Sequence, residues 1–254
     1  MKKLLAVFAS VLLCSFANCE QSSDKLVVLT SADNPPYEFV DSSTIVGFDI
    51  DLIKLIAERM GKRCEIRDMP FSSVIPSLRT GQGDMAIAAI TPTDLRRQNL
   101  NFSIPYHNNT SALVIVRTEI FDNVEDGAYF PLELLKRKVL GVQLGSHHEN
   151  DIRDANIEDL TIRRYDSVNN LVAEMAKSAR GVGLLYGIVL GVQEAKTIVR
   201  QNNNLTFYKL KFEDSFAIAF PKKSTLVEEI NRIINELISE KKILELESKW
   251  GISK

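Results

Sequence analysis

Apolar and polar positions along this chain change period repeatedly. Short strand-like runs at Leu26–Thr30, Cys64–Asp68 and Asp84–Ala89 alternate with stretches at helical spacing, Asp49–Met60 and Ser72–Thr80. Strand, helix, strand, helix, strand predicts a parallel sheet with crossover helices. In the first helix Ile50, Ile53, Leu55, Ile56 and Met60 mark the buried face, and Gly61 supplies a stop. A second block repeats the alternation. Strands are expected at Val139–Val142, Thr161–Arg164 and Val182–Leu185, with helices opening near Ser146, spanning Ser167–Lys177 and starting again at Ile188. Two similar α/β units therefore share one chain.

Two further extended apolar runs, Ser111–Val116 and Ser215–Phe220, each end one block and begin another. They read as two strands crossing between lobes and acting as a hinge. From Ser224 to Lys249 one long helical pattern, broken near Glu240, carries Leu226, Ile230, Ile233, Ile234, Leu237, Leu244 and Leu246 on its apolar faces. The expected division is a leader over 1–19, a first lobe over 25–112, a second lobe over 113–215, and a return strand with C-terminal helices over 216–254 that pack on the first lobe.

The leader follows from Met1-Lys2-Lys3 and the apolar run Leu4–Leu13, a charged start and a hydrophobic stretch of signal-peptide length, too short to cross a bilayer permanently. Export to the periplasm is the expectation, with ordinary cleavage near Cys19; lipid attachment at Cys19 is the alternative. Cys64 is then the remaining cysteine, so no internal disulfide framework is expected, and Cys64 reads as a small buried hydrophobe. Charge is close to balanced, with 31 Lys and Arg against 33 Asp and Glu, scattered without the basic stripe that nucleic acid requires. No cofactor is implied, and nothing calls for more than a monomer.

The segment Pro35-Pro36-Tyr37-Glu38-Phe39 follows the first apolar run directly. Two prolines deny the backbone ladder donors, so the chain leaves the sheet there and passes along a rim where a cleft can form. Arg96 follows Thr91-Pro92-Thr93-Asp94, a turn and helix-cap signal that puts it at a strand end. A planar guanidinium there can hold a carboxylate by two parallel bonds; a surface arginine beside Arg97 is the bland reading. Gly145-Ser146 marks a strand giving way to a helix, whose unpaired N–H groups could meet the same anion. His147-His148-Glu149 brings to mind a metal, but no third ligand stands at a recognisable spacing and H-E-x-x-H is absent, so no metal site is expected.

Several motifs occur together in a fixed order: Pro35-Pro36-Tyr37-Glu38-Phe39, Gly47-Phe48-Asp49-Ile50-Asp51-Leu52, Phe71 to Leu78, Gly83-Asp84, Thr93-Asp94-Leu95-Arg96-Arg97 and Phe102-Ser103-Ile104-Pro105-Tyr106. Val142 to Ser146, Tyr165-Asp166-Ser167 and Leu244 to Trp250 extend the set. In that order the chain resembles the family 3 solute-binding proteins of ABC importers, which bind polar amino acids, from about Lys25 to Gly251. The resemblance implies a periplasmic-binding-protein-like α/β fold of two lobes joined by two crossing strands. It implies a non-enzymatic receptor that closes around a polar or basic amino acid, arginine favoured, and delivers it to a permease in the inner membrane. The competing readings are a cyclohexadienyl-dehydratase-like enzyme or a solute sensor on the same fold.

By the same resemblance Arg96 clamps the ligand carboxylate with help from Thr91, and the Phe71 ring lies against the ligand side chain. Ser146, His147 and His148 touch the ligand from the second lobe. Tyr37 and Phe39 read as packing, and Asp49 and Asp84 as structural caps. Two departures stand out. The aromatic residue expected before the prolines is Asn34, and the acid three positions earlier is Ser31. The second-lobe acid that receives the ligand ammonium aligns near Gly187, leaving Asp33, Glu213, Asp214 or water to substitute.

Overall fold

A computed structural model describes residues 24–117 and 128–252. The expected leader and cleavage site lie outside these residues. The chain opens with β1 (Lys25–Thr30), a small antiparallel sheet of β2 (Asp33–Asn34), β3 (Glu38–Asp41) and β4 (Thr44–Val46), then α1 (Phe48–Arg59), β5 (Arg63–Asp68), α2 (Phe71–Arg79), β6 (Met85–Ala86), α3 (Asp94–Arg97) and β7 (Leu100–Phe102). The second stretch holds β8 (His107–Val116), β9 (Val139–Gln143), α4 (His147–Asp154), β10 (Thr161–Tyr165), α5 (Val168–Ser178), β11 (Gly187–Gly191), α6 (Val192–Gln201) and β12 (Leu205–Phe216). It closes with β13 (Ala219–Pro221), α7 (Val227–Ser239) and α8 (Lys242–Lys249).

Each lobe is built on a five-stranded sheet, ordered β5-β1-β6-β13-β7 in the first and β10-β9-β11-β8-β12 in the second. In both, the strands joined by helices run parallel and the strands next to the crossing run antiparallel. One face of the first sheet packs Val28, Met85 and Ile87 on Phe48, Leu52, Ile56, Ile230, Ile234 and Leu237, so α1 and α7 share a core with the strands. The opposite face packs Leu29, Ala86 and Ala88 against Phe71, Val74 and Leu78 of α2. The second sheet is covered by α5 and α6 on one side and by α4 with Phe130 and Leu135 on the other.

The helices follow from their sequences. Thr93 caps α3 by accepting from the Arg96 N–H, and Ser167 caps α5 through the Asn170 N–H. The C-terminal pattern breaks where Lys241 adopts a left-handed conformation, separating α7 from α8. Gly47 enters α1 at φ 133°, against the Tyr37 carbonyl, where a Cβ would collide. Tyr37 is fully buried and Phe39 stacks edge-on with Trp250 at 5.9 Å, so both aromatic residues pack.

Two expectations differ from the structure. The run Val182–Leu185 is a loop, and the strand begins at Gly187, with the next helix opening at Val192 and not Ile188. Val182 is 74% exposed and Leu184 63%, so the first part of a nine-residue apolar run reaches the surface while its last four residues are buried. Apolar content alone does not reveal that. The first of the two expected crossing strands is also displaced, whereas the second, Ser215–Phe220, contains the crossing. Ser111–Val116 is part of β8 and stays within the second sheet, while the chain crosses at residues 103–106 and 217–218. There the two segments bond to each other: Ser103 N–H donates to the Ile218 carbonyl at 2.9 Å, and Tyr106 N–H to that of Phe216 at 2.9 Å.

Candidate functional site

The carboxyl ends of the parallel strands in the two sheets face each other, and the residues just beyond them enclose a small cavity. Asp33, Asn34, Glu38, Phe71, Ala88 and Ala89 come from the first lobe, Gln143, Ser146, His147, His148, Val168, Leu190 and Glu194 from the second, and Phe216 from the crossing. At about 30 Å³ it has room for water and not for an amino acid. Admitting a solute therefore requires the lobes to part.

Arg96 stands at the boundary. Its Nη1 donates to the Thr91 carbonyl at 2.7 Å within the first lobe, and its Nη2 to the Gly145 carbonyl at 2.9 Å in the second. Its guanidinium lies 5.6 Å from the Phe71 ring centre, within cation–π range. Desolvation in the closed cleft lowers its pKa to about 10, against the opposing pull of Asp214, so it stays charged at neutral pH. Phe71 is both a core residue of α2 and a wall of the cavity, which joins the two readings of that position.

Beside Arg96 runs a polar chain. Thr91 Oγ1 donates to Asp214 Oδ1 at 2.5 Å and lies 3.0 Å from His147 Nδ1, whose Nε2 is 2.8 Å from Asp214 Oδ2. His148 Nδ1 meets Ser111 Oγ at 3.1 Å, and burial, with His147 and Arg96 nearby, holds its pKa far below the ordinary value, so the ring is neutral. Asp151, one turn beyond His147, makes a set of three possible metal donors with the two histidines, all within 4.8 Å of one another. The sequence spacing did not reveal that third donor. A metal would have to compete with Thr91, Asp214 and Ser111 for the ring nitrogens.

Ser146 caps α4 in position only. Its buried Oγ has no hydrogen-bond partner among the described residues and lines the cavity, next to the unpaired first-turn N–H groups that any helix presents. On the facing wall Ala89 is left-handed at φ 45°, a conformation that costs a non-glycine residue about 1–2 kcal/mol. Asp49 holds it there, accepting from the Ala89 N–H at 2.8 Å and from the Tyr106 hydroxyl at 2.9 Å. Asp84 ties the Val27 N–H at 2.7 Å. Both carboxylates bond backbone groups of the scaffold.

The other expected positions divide. Asn34 lines the cavity; Ser31 is buried behind it, bonded to Asp33 Oδ1 at 3.2 Å. Asp33 reaches across the gap, where Oδ2 accepts from the Val168 N–H at the start of α5 at 2.8 Å and from Gln143 at 3.5 Å. Gly187 is displaced from the cleft. It sits mid-sheet, paired with Ile115 and Leu140, and a Cβ there would strike Leu113, Ile115 and the Val114 carbonyl. The misplacement has the same origin as the early strand: the cleft end of β11 is Leu190–Gly191, four residues later. Glu194, Glu38 and Gln143 were not singled out by sequence, because nothing in their local pattern separates them from solvated polar residues.

The geometry has relatives. The family of bacterial extracellular solute-binding proteins, family 3, matches residues 26–253. The arginine-binding extracellular protein ArtP of Bacillus subtilis is 29% identical over 98% of this chain and 98% of its own length. ABC transporter arginine-binding protein 1 of Escherichia coli is 33% identical over 69% of this chain and 67% of its own. Among solved structures, an ancestral arginine-binding protein bound to arginine superposes with a TM-score of 0.77 at 31% identity, covering 89% of this chain and 98% of that one. With the family match spanning nearly every described residue, the chain belongs to the bacterial extracellular solute-binding proteins of family 3.

Proposed function

We propose that this protein is the exported receptor of an ABC importer, closing its lobes around a polar or basic amino acid, L-arginine first among them, and presenting it to a permease in the inner membrane. The observation that carries this reading is Arg96, the charged side chain that spans the lobe boundary from Thr91 to Gly145 with Phe71 beneath it. A carboxylate entering the cleft can take over those donors as two parallel charge-assisted bonds. It would also meet Ser146 and the start of α4 on the opposing wall. The relatives named above are arginine-binding by their own names, which supports arginine over other solutes. Periplasmic residence fits the leader and the family. Calorimetric titration of the folded protein with the standard amino acids tests the reading; heat from none of them sinks it.

A second reading has one observation in its favour. Burial raises the Glu194 carboxyl to about 7, which suits a proton donor for a dehydratase acting on a cyclic carboxylate. Turnover of a prephenate-like substrate would establish that reading in place of the receptor.

The lobe-to-lobe bonds of Asp33 give a further expected result. Asp33→Ala removes one acceptor oxygen and the two bonds it takes across the closed cleft, so it should leave association little changed and speed dissociation of arginine by about tenfold. Stopped-flow fluorescence measures both rates.

A further inference from the structure

We propose that Glu194, folded back from the first turn of α6 over Gly191, is the second lobe's acceptor for the positive group of the bound solute, a protonated amine or a guanidinium. The assignment rests on the amino-acid reading above and supplies the acid that the Gly187 alignment left missing. Glu194 is 5% exposed and lines the cavity, and its Oε2 has no hydrogen-bond partner among the described residues. Position 191 is shaped for it. A Cβ on Gly191 would run into the Glu194 carboxylate and the Asn109 amide, so the bare backbone lets the carboxylate lie over the strand end.

The other candidate acids are already engaged. Asp33 is bonded to Val168 and Gln143, and Asp214 Oδ1 to Thr91, with Asp214 Oδ2 set 2.8 Å from His147 Nε2. Glu38 Oε2 and Asp49 Oδ1 answer each other. Burial and the neighbouring Asp49 charge raise the Glu38 carboxyl far above its ordinary value, and it donates its proton to Asp49. Glu38 Oε1 accepts from the Asn34 amide at 3.2 Å, and Asn34 also faces Glu194.

The ionisable groups acting on Glu194 are themselves acidic: Asp214 of β12, Asp49 of α1 and the Tyr37 phenol. A carboxylate buried among acids holds its proton, and burial accordingly raises this one to about 7. A cation set against Oε2 would reverse that balance, and the proton would leave on binding.

Titration calorimetry with L-arginine, in pairs of buffers differing in ionisation heat, reads both affinity and proton count. The wild-type protein should release about one proton per arginine at pH 6 and close to none at pH 8. Glu194→Gln, which keeps shape and hydrogen bonding, should bind at least about 30-fold more weakly and release no proton. Gly191→Ala keeps the carboxylate but displaces it, and should weaken binding to a similar degree. Citrulline lacks the guanidinium charge and argininic acid lacks the ammonium; the analogue whose affinity Glu194→Gln leaves unchanged lacks the recognised group. Arginine affinity equal to wild type in Glu194→Gln, with the same proton count, overturns the assignment and leaves the amino-acid reading standing. A folded wild-type protein that binds no amino acid overturns both.

Discussion

Arg96→Ala is expected to weaken L-arginine binding by about 100-fold or more, the largest loss anticipated from any single side chain in the cleft. A desolvated charge pair that loses one partner typically costs about 2–5 kcal/mol, because the surviving charge stays buried without compensation. In the closed form Arg96 also supplies the donors for the Thr91 and Gly145 carbonyls, so closure loses a bridge as well as the ligand an anchor. Arg96→Lys keeps the charge but not the planar fork, and should fall between the two, about tenfold below wild type. Agmatine, which is arginine without its carboxylate, makes the measurement specific. Its weak binding should fall far less on the alanine substitution, because only the bridge from Thr91 to Gly145 is lost with it. An alanine variant that folds and holds arginine within twofold of wild type would remove Arg96 from the site.

The ligand-free protein should grow more stable as the solution is acidified from pH 8 to pH 5, opposite to the usual behaviour of a protein with paired surface carboxylates. Burial raises the carboxyl of Asp49 to about 6 and that of Glu194 to about 7, and Glu38 is raised further with Asp49 as the second cause. Each has a folded pKa above its unfolded value, so between about pH 4 and pH 7 the folded chain binds more protons than the unfolded one. Stability therefore falls as pH rises through that window, by several kcal/mol in all. For a chain of this size that is a melting point several degrees higher at pH 5 than at pH 8. Exposed pairs such as Arg59 with Glu240 and Arg67 with Glu65 depress their carboxylates and pull the other way, but solvent screens them. Saturating arginine should flatten the Glu194 part of the slope. Calorimetric melts across this range decide the matter; a melting point that climbs with pH would refute the buried-carboxyl account.

Much of the architecture can be read from periodicity, since Ile53 and Ile56 face one core with Leu55 and Met60 packed beside them, and the glycines mark where strands hand over to helices. The reading fails where apolar residues are not buried. Val182 and Leu184 belong to a surface loop closed by the Leu185 N–H on Ser178 Oγ, and no local pattern separates that loop from a strand. That four-residue error carried Gly187 into the site in place of Gly191. Arg96, Phe71 and the Gly145-Ser146 step were legible because cap and turn signals place them at strand ends. Glu194 was not, since its position depends on a missing Cβ three residues earlier and on Asn109 and Asn34 from distant strands. Asp151 joins the two histidines because it stands one turn along the same face of α4, which only becomes evident once that helix is known to begin at His147.

β12 and β13 are separated by Ala217 and Ile218 alone, both fully buried, with the Ala217 N–H donating to the Ile90 carbonyl and the Ile218 N–H to Ser103 Oγ of the other crossing segment. A joint that short has no slack for twisting or sliding, so the halves can swing about one axis only, like covers on a spine. Solute escape should then follow a single exponential, with a residence time set by how often the covers part.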